Sequence, residues 1–167
     1  MEKALIAVIM AIICFIIGMI FSAGLKMRVQ ELKKVILMFD EMSTLIRFRA
    51  IRTKEMIEEI SNHDSFSNFI FLNILVDCLE LEDDINAGWR TAAMRTVFLN
   101  EGDKAILIGV GEQIGTSDID GQLSMLELSR TQAERNLINA EDEYRIKGKM
   151  LRTVWGLCGL AAVIMFI

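Results

Sequence analysis

The chain has 167 residues, a net charge of −5 and 53% hydrophobic residues, but only 7% aromatic residues and no proline. A single-domain length without proline favours long uninterrupted helices over a sheet built on turns. One histidine, three widely separated cysteines and the absence of a GxxxxGK[ST] loop exclude a histidine triad, a multi-histidine metal site, a disulfide framework and a P-loop ATPase.

Residues 4–23, ALIAVIMAIICFIIGMIFSA, carry no charge. At about 1.5 Å per helical residue they match a hydrocarbon core of roughly 30 Å, so this run is expected to span a bilayer. The basic residues Lys26, Arg28, Lys33 and Lys34 follow it. Ser22-Ala23-Gly24 is a weak cleavage-like site. A cleaved signal peptide, however, would have an apolar stretch of about 7–15 residues behind a basic segment. Lipid attachment at Cys14 wants a small residue where Ile13 stands. Beyond the run, Leu32, Val35, Phe39, Met42 and Ile46 step by three or four, so the first helix is expected to continue past the membrane.

Met56, Ile57 and Ile60 mark a short helix, 61–64 supply turn chemistry, and Phe66, Phe69, Ile70 and Ile74 open the next helix. The acidic stretch Glu80, Glu82, Asp83 and Asp84 ends it and suits the positive end of a helix carrying Ile85, Trp89, Ala92 and Ala93. The same four acids are candidates for binding a partner. Asn100 to Asp103 read as a break before a helix on Ile106, Leu107, Val110 and Ile114, which Gly115 can close in a left-handed conformation. Ser117 is then expected as an N-cap, with Asp120 three residues on as an acidic variant of the capping box. From Ile119 through Leu126, Ala133, Ala140, Tyr144 and Leu151 a four-three seam runs for over thirty residues, interrupted by Arg130 and Lys147. It leads into residues 153–167, an uncharged run of 15 that crosses a bilayer only with thinning or snorkelling, and that Arg145, Lys147, Lys149 and Arg152 precede.

The expected fold is all-α: an antiparallel bundle of about six helices whose first and last members continue into N- and C-terminal transmembrane segments. The corresponding organisation is an anchor over 1–25, a helical bundle over 26–152 and a second membrane segment over 153–167. With basic residues on the inner side of both runs, the positive-inside rule puts the middle in the cytoplasm. Charge is segregated along that middle. Residues 26–54 carry 8 basic and 3 acidic side chains, 55–143 carry 5 and 19, and 145–152 carry 4 and 0. The membrane-proximal ends suit anionic lipid head groups, whereas the acidic body is unsuited to nucleic acid and suits a basic partner. No catalytic, cofactor or metal site is expected. His63 lies among turn residues, Asp118 and Asp120 stand at a helix start where carboxylates belong, and no strand pattern precedes Gly109-Val110-Gly111.

Gly111, Glu112, Ile114, Gly115, Asp118 and Gln122 match a GExLGxxDxxxQ pattern, by which the chain resembles the stage III sporulation protein AB family. The resemblance extends through Arg28, the seam from Leu32 to Ile46, Ala140-Glu141 on the last helix and the glycine-containing apolar tail. The family often has prolines after the first anchor; here there are none, and Phe48 and Leu45 stand where tyrosine and glutamate are frequent. That family looks like the cytoplasmic helical domain of the type II secretion and type IV pilus platform protein. The resemblance implies a non-enzymatic scaffold in the mother-cell membrane facing the forespore. Its implied partners are a cytoplasmic ATPase and the other membrane subunits of a channel-like complex. The alternatives from the residues alone are a pilus or secretion platform subunit, a membrane-bound metal- or ligand-binding sensor or enzyme, and a coiled-coil dimer.

Overall fold

The computed structural model describes residues 2–49, 51–81 and 84–166; most side chains of 2–18 and 149–166, and that of Leu81, lie outside the description. Among the described residues the fold is all-helical, with six α-helices, one 3-10 turn and no strand. The helices are α1 (Glu2–Arg49), α2 (Thr53–Ser61), α3 (Ile70–Leu81), α4 (Ile85–Arg95), α5 (Glu101–Gln113) and α6 (Ile119–Phe166). The expected continuity of the first and last helices through both apolar runs is therefore present. Among the described residues, no helix is long and apolar enough to cross a membrane.

Two compact units divide the chain: Met1–Val29 with Ile138–Ile167, and Gln30–Leu137. In the second unit the anticipated seam of α1 is buried at every position, Leu32, Val35, Phe39, Met42 and Ile46. Met56, Ile57 and Ile60 of α2 join it, and α3 packs on α2 and α4, with α4 on α5. A chain of rings, Phe66 to Phe69 to Phe71 to Trp89, runs through this core with centroid spacings of 6.1, 5.7 and 5.3 Å. Offset and edge contacts at such distances add to the burial of apolar area.

One helix start differs from expectation. Phe66 and Phe69 are buried but precede α3: Asp64–Phe66 form the 3-10 turn, and α3 begins at Ile70. Two phenylalanines on a helical spacing look alike whether the backbone is α or tighter, because both present side chains three apart on one side. The residue before α3, Phe69, has no polar atom to cap it. Glu31 of α1 supplies the cap, accepting from the backbone N–H groups of Ile70 and Phe71. A carboxylate there meets the positive end of the helix dipole and two donors that have no intrahelical acceptor. The cost is burial: Glu31 is 1% exposed and its Oε2 has no hydrogen-bond partner. Burial pushes its carboxyl above the ordinary range, opposed by the Lys34 ammonium and by the two backbone donors.

In the first unit the facing segments of α1 and α6 are antiparallel. Arg28 Nη1 donates to Glu143 Oε2 at 2.9 Å, and Gly148 lies over Ser22 and Tyr144, where an added Cβ would stand 3.5 Å from Ser22 Oγ. Six residues down α1 thus correspond to about five up α6. Ser22 and Gly148 are both buried, so small side chains let the two helices approach at that level.

Candidate functional site

The turn between α5 and α6 carries the sequence pattern, and each of its residues has a physical task. Trp89 on α4 donates from Nε1 to the Leu107 carbonyl at 2.7 Å and lays its indole against Gly111 of α5. A Cβ at Gly111 would stand 2.2 Å from Trp89 Cδ1, so no larger side chain fits unless the ring moves. Glu112 turns outward and accepts from Arg90 at 3.2 Å, an exposed pair. Gly115 has φ +76°, the left-handed conformation anticipated for it, beside Thr53 Oγ1.

The cap of α6 is one residue later than expected. Asp118, not Ser117, holds the N-cap position: its Oδ1 accepts from the Gly121 N–H at 3.0 Å, and its carbonyl receives the first helical bond from Gln122. Gln122 Nε2 donates back to the Ser117 carbonyl at 2.8 Å, so the turn is tied from both sides. Ser117 and Asp118 are both good caps, and their order is decided by Gly121. A Cβ on Gly121 would lie 2.7 Å from Asp118 Oδ1, so the glycine makes room for the carboxylate. Gly121 is the member of this motif that pattern matching overlooked, although its position three residues after an aspartate was visible.

The candidate partner-binding acids separate into two kinds. Asp84 is the N-cap of α4, its Oδ1 accepting from Asn86 and Ala87, so its charge is committed to the helix. Glu82 and Asp83 lie outside the described residues. Glu80 is exposed and lines a groove of about 470 Å³ between α2 and α3, with Glu58 and Lys54 as the other charged groups and Ile57 and Leu79 below. Glu58 was not picked out from the sequence; its position less than one turn before the end of α2 gave no sign that it would meet α3.

The basic residues that adjoin the two apolar runs are partly engaged within the first unit. Glu143 accepts from both Arg28 and Lys147, at 2.9 and 2.8 Å, and Arg145 pairs with Asp142. The bond from Lys147 holds the Glu143 carboxyl below its ordinary value, and the Arg28 charge adds to this. Lys26 is exposed. The side chains of Lys149 and Arg152 lie outside the description. Lys33 and Lys34 belong to the second unit, Lys33 exposed and Lys34 half-buried near Glu31.

Elsewhere in the second unit a polar groove of about 680 Å³ lies between the end of α1 and the start of α6. Arg130, the charged interruption in the α6 seam, sits there with its Nε 2.6 Å from Asp40 Oδ1 and its Nη1 3.0 Å from Glu134. Among the described residues no group of three or more histidine, cysteine or acidic side chains is placed to hold a metal ion. His63 is exposed, and Cys78 is a buried free thiol. The arrangement offers surfaces and fixed turns.

No curated protein and no solved structure matches the chain. The model of the stage III sporulation protein AB family matches residues 3–167, and the motif turn described above lies inside that match. The protein therefore belongs to the stage III sporulation protein AB family, and its role is a sporulation-related one.

Proposed function

We propose that the protein is a non-enzymatic membrane scaffold of a channel-like complex between mother cell and forespore, holding a cytoplasmic ATPase against the membrane. One observation carries the anchoring. On α1, Ile9, Ile12, Ile13, Ile16, Met19, Ile20 and Phe21 are all exposed, and on α6 so are Ile146, Met150, Val154 and Leu157. Apolar area left in water is unfavourable by about 25 cal/mol per Å², and large apolar side chains exposed along a helix mark a surface that meets a partner or a membrane. Lipid would cover it. The uncharged run 4–23 and the basic residues that follow it fit the same orientation, with the Gln30–Leu137 unit in the cytoplasm.

For the ATPase, the α2–α3 groove is the favoured docking surface. Two carboxylates, Glu58 and Glu80, face one ammonium, Lys54, above an apolar floor, a pattern that complements a basic helix with an apolar face. Reversing both acids, Glu58→Lys with Glu80→Lys, is expected to weaken co-purification of the ATPase from membranes of sporulating cells in a salt-dependent way. Undiminished co-purification would overturn the docking surface. Protease protection of the intact membranes tests the anchor separately, since it reports which side the body faces regardless of partner.

A further inference from the structure

In the Gln30–Leu137 unit, the polar groove of about 680 Å³ between the end of α1 and the start of α6 has charges of opposite sign on its two walls. At one end they are already joined, because Arg130 of α6 pairs with Asp40 of α1 across the groove and with Glu134 on its own helix. The Ser43 and Thr44 hydroxyls are spent on carbonyls of α1. What remains is Arg47 on the α1 wall and Asp120 and Glu127 on the α6 wall. All three are exposed, and none has an ion pair among the described residues. Beside Arg47, Phe48 is 76% exposed.

The Asp40–Arg130 pair sets the levels. Counting seven residues on from Asp40 along α1, and seven back from Arg130 along the antiparallel α6, puts Arg47 level with Leu123. Asp120 and Glu127 lie three and four residues to either side of that level, about 5 and 6 Å along the axis. Within one copy the width of the groove keeps these charges apart. A two-fold axis parallel to α1 and α6 preserves level and exchanges walls, so that the α1 wall of one copy meets the α6 wall of another. We infer that this groove is the interface between two copies of the chain so related, with Arg47 of each entering between Asp120 and Glu127 of the other.

The charges select both the occupant and its orientation. A two-fold axis across the helices would set like walls face to face, Arg47 against Arg47 and carboxylates against carboxylates, which is unfavourable. The parallel pair makes each favourable contact twice, and it carries Phe48 toward Leu123 of the other copy, the apolar α6 side chain of the lining. A foreign partner would need an acid for Arg47 and a base for the two carboxylates at this same spacing; a second copy has them by symmetry. The parallel axis also leaves Gln30 and Leu137 of both copies at one end of the pair, as two chains anchored in one membrane require.

The mass of the full chain in a nonionic detergent, read by light scattering with the detergent subtracted, tests the interface without reference to the membrane reading. The wild type should have the mass of two chains and dissociate more readily as salt rises. Arg47→Glu and Glu127→Arg should each raise the dissociation constant about tenfold or more, because both symmetric contacts become like-charge pairs. Asp120 is left in place, since its charge also serves the first turn of α6. Mixed one to one under different tags, the two variants should co-purify as a pair, because each supplies the charge that the other lacks. Phe48→Ala should weaken pairing with the thermal midpoint unchanged. A wild type that stays monomeric overturns the second copy as occupant. Either charge variant pairing with itself as well as the wild type does overturns this groove as the interface, and failure of the mixture to pair overturns the parallel arrangement.

Discussion

Glu31 shows how a residue that composition assigns to the surface can be spent on the backbone of a distant helix. In sequence it is one acid in a basic block, yet it lies one turn from Val35 on the buried side of α1. That spacing was legible; its partners, the N–H groups of Ile70 and Phe71, were not, because nothing local links positions so far apart. The consequence is a pH dependence of definite sign. A carboxyl whose value is raised by folding contributes stability that is fully present below its unfolded value, near 4.5, and lost as pH rises through the folded one. Glu31→Gln keeps an acceptor for the two donors and removes the charge. The thermal midpoint of this variant should therefore gain on the wild type as pH rises from about 4.5, and parallel profiles would refute the assignment. Glu143 works in the opposite direction, its contribution appearing above its unfolded value and fading as pH falls, but it is common to both proteins and cancels in the difference.

At the level of elements, the helices were legible wherever apolar periodicity was long, and their ends were legible wherever a short polar side chain served its own helix. Asp84 caps α4, and Asn100 with Asp103 forms a reciprocal capping box on α5, with Asn136 of α6 donating to Asp103 at 2.8 Å. Phe69 broke the rule because the cap of α3 comes from α1, and Ser117 broke it because a neighbouring aspartate with a glycine three residues on outcompeted it. The motif glycine Gly111 was recognisable as a pattern, but its reason, an indole supplied by α4, required the packing. The cap at α6 permits a graded test. Asp118→Ala should cost about 1 kcal/mol, roughly 2–4 °C in a chain of this size, while Asp118→Asn should cost little because asparagine caps as well. Thermal unfolding of the detergent-solubilised chain reads both. If Asp118→Asn were to abolish complex assembly with its midpoint intact, the carboxylate would be acting on a partner and not on the helix.

For the molecule as a whole, the most consequential question is how the two terminal runs can serve together when one is 20 uncharged residues and the other 15. Counting uncharged residues makes the second run short; counting from its neighbour does not. Ser22 faces Gly148 and Arg28 faces Glu143, so at one residue per residue position 166 on α6 stands opposite position 4 or 5 on α1. The stretch of α6 from Gly148 onward is then as long as the run it accompanies, about 27 Å at 1.5 Å per residue. On that reading positions 149 and 152 fall within the leg, close to its inner end. The register is testable by cross-linking. With Cys14, Cys78 and Cys158 replaced by alanine, Ser22→Cys with Gly148→Cys should form an intramolecular disulfide on mild oxidation in membranes. The geometry suits it, because a Cβ at Gly148 lies 3.5 Å from the position of Ser22 Oγ. Moving the second cysteine one turn, to Tyr144→Cys or Arg152→Cys, shifts it about 6 Å along the axis and should suppress the bond. Efficient cross-linking of Ser22→Cys to Arg152→Cys would shorten the second leg by a full turn and return it to a segment that only dips into the membrane.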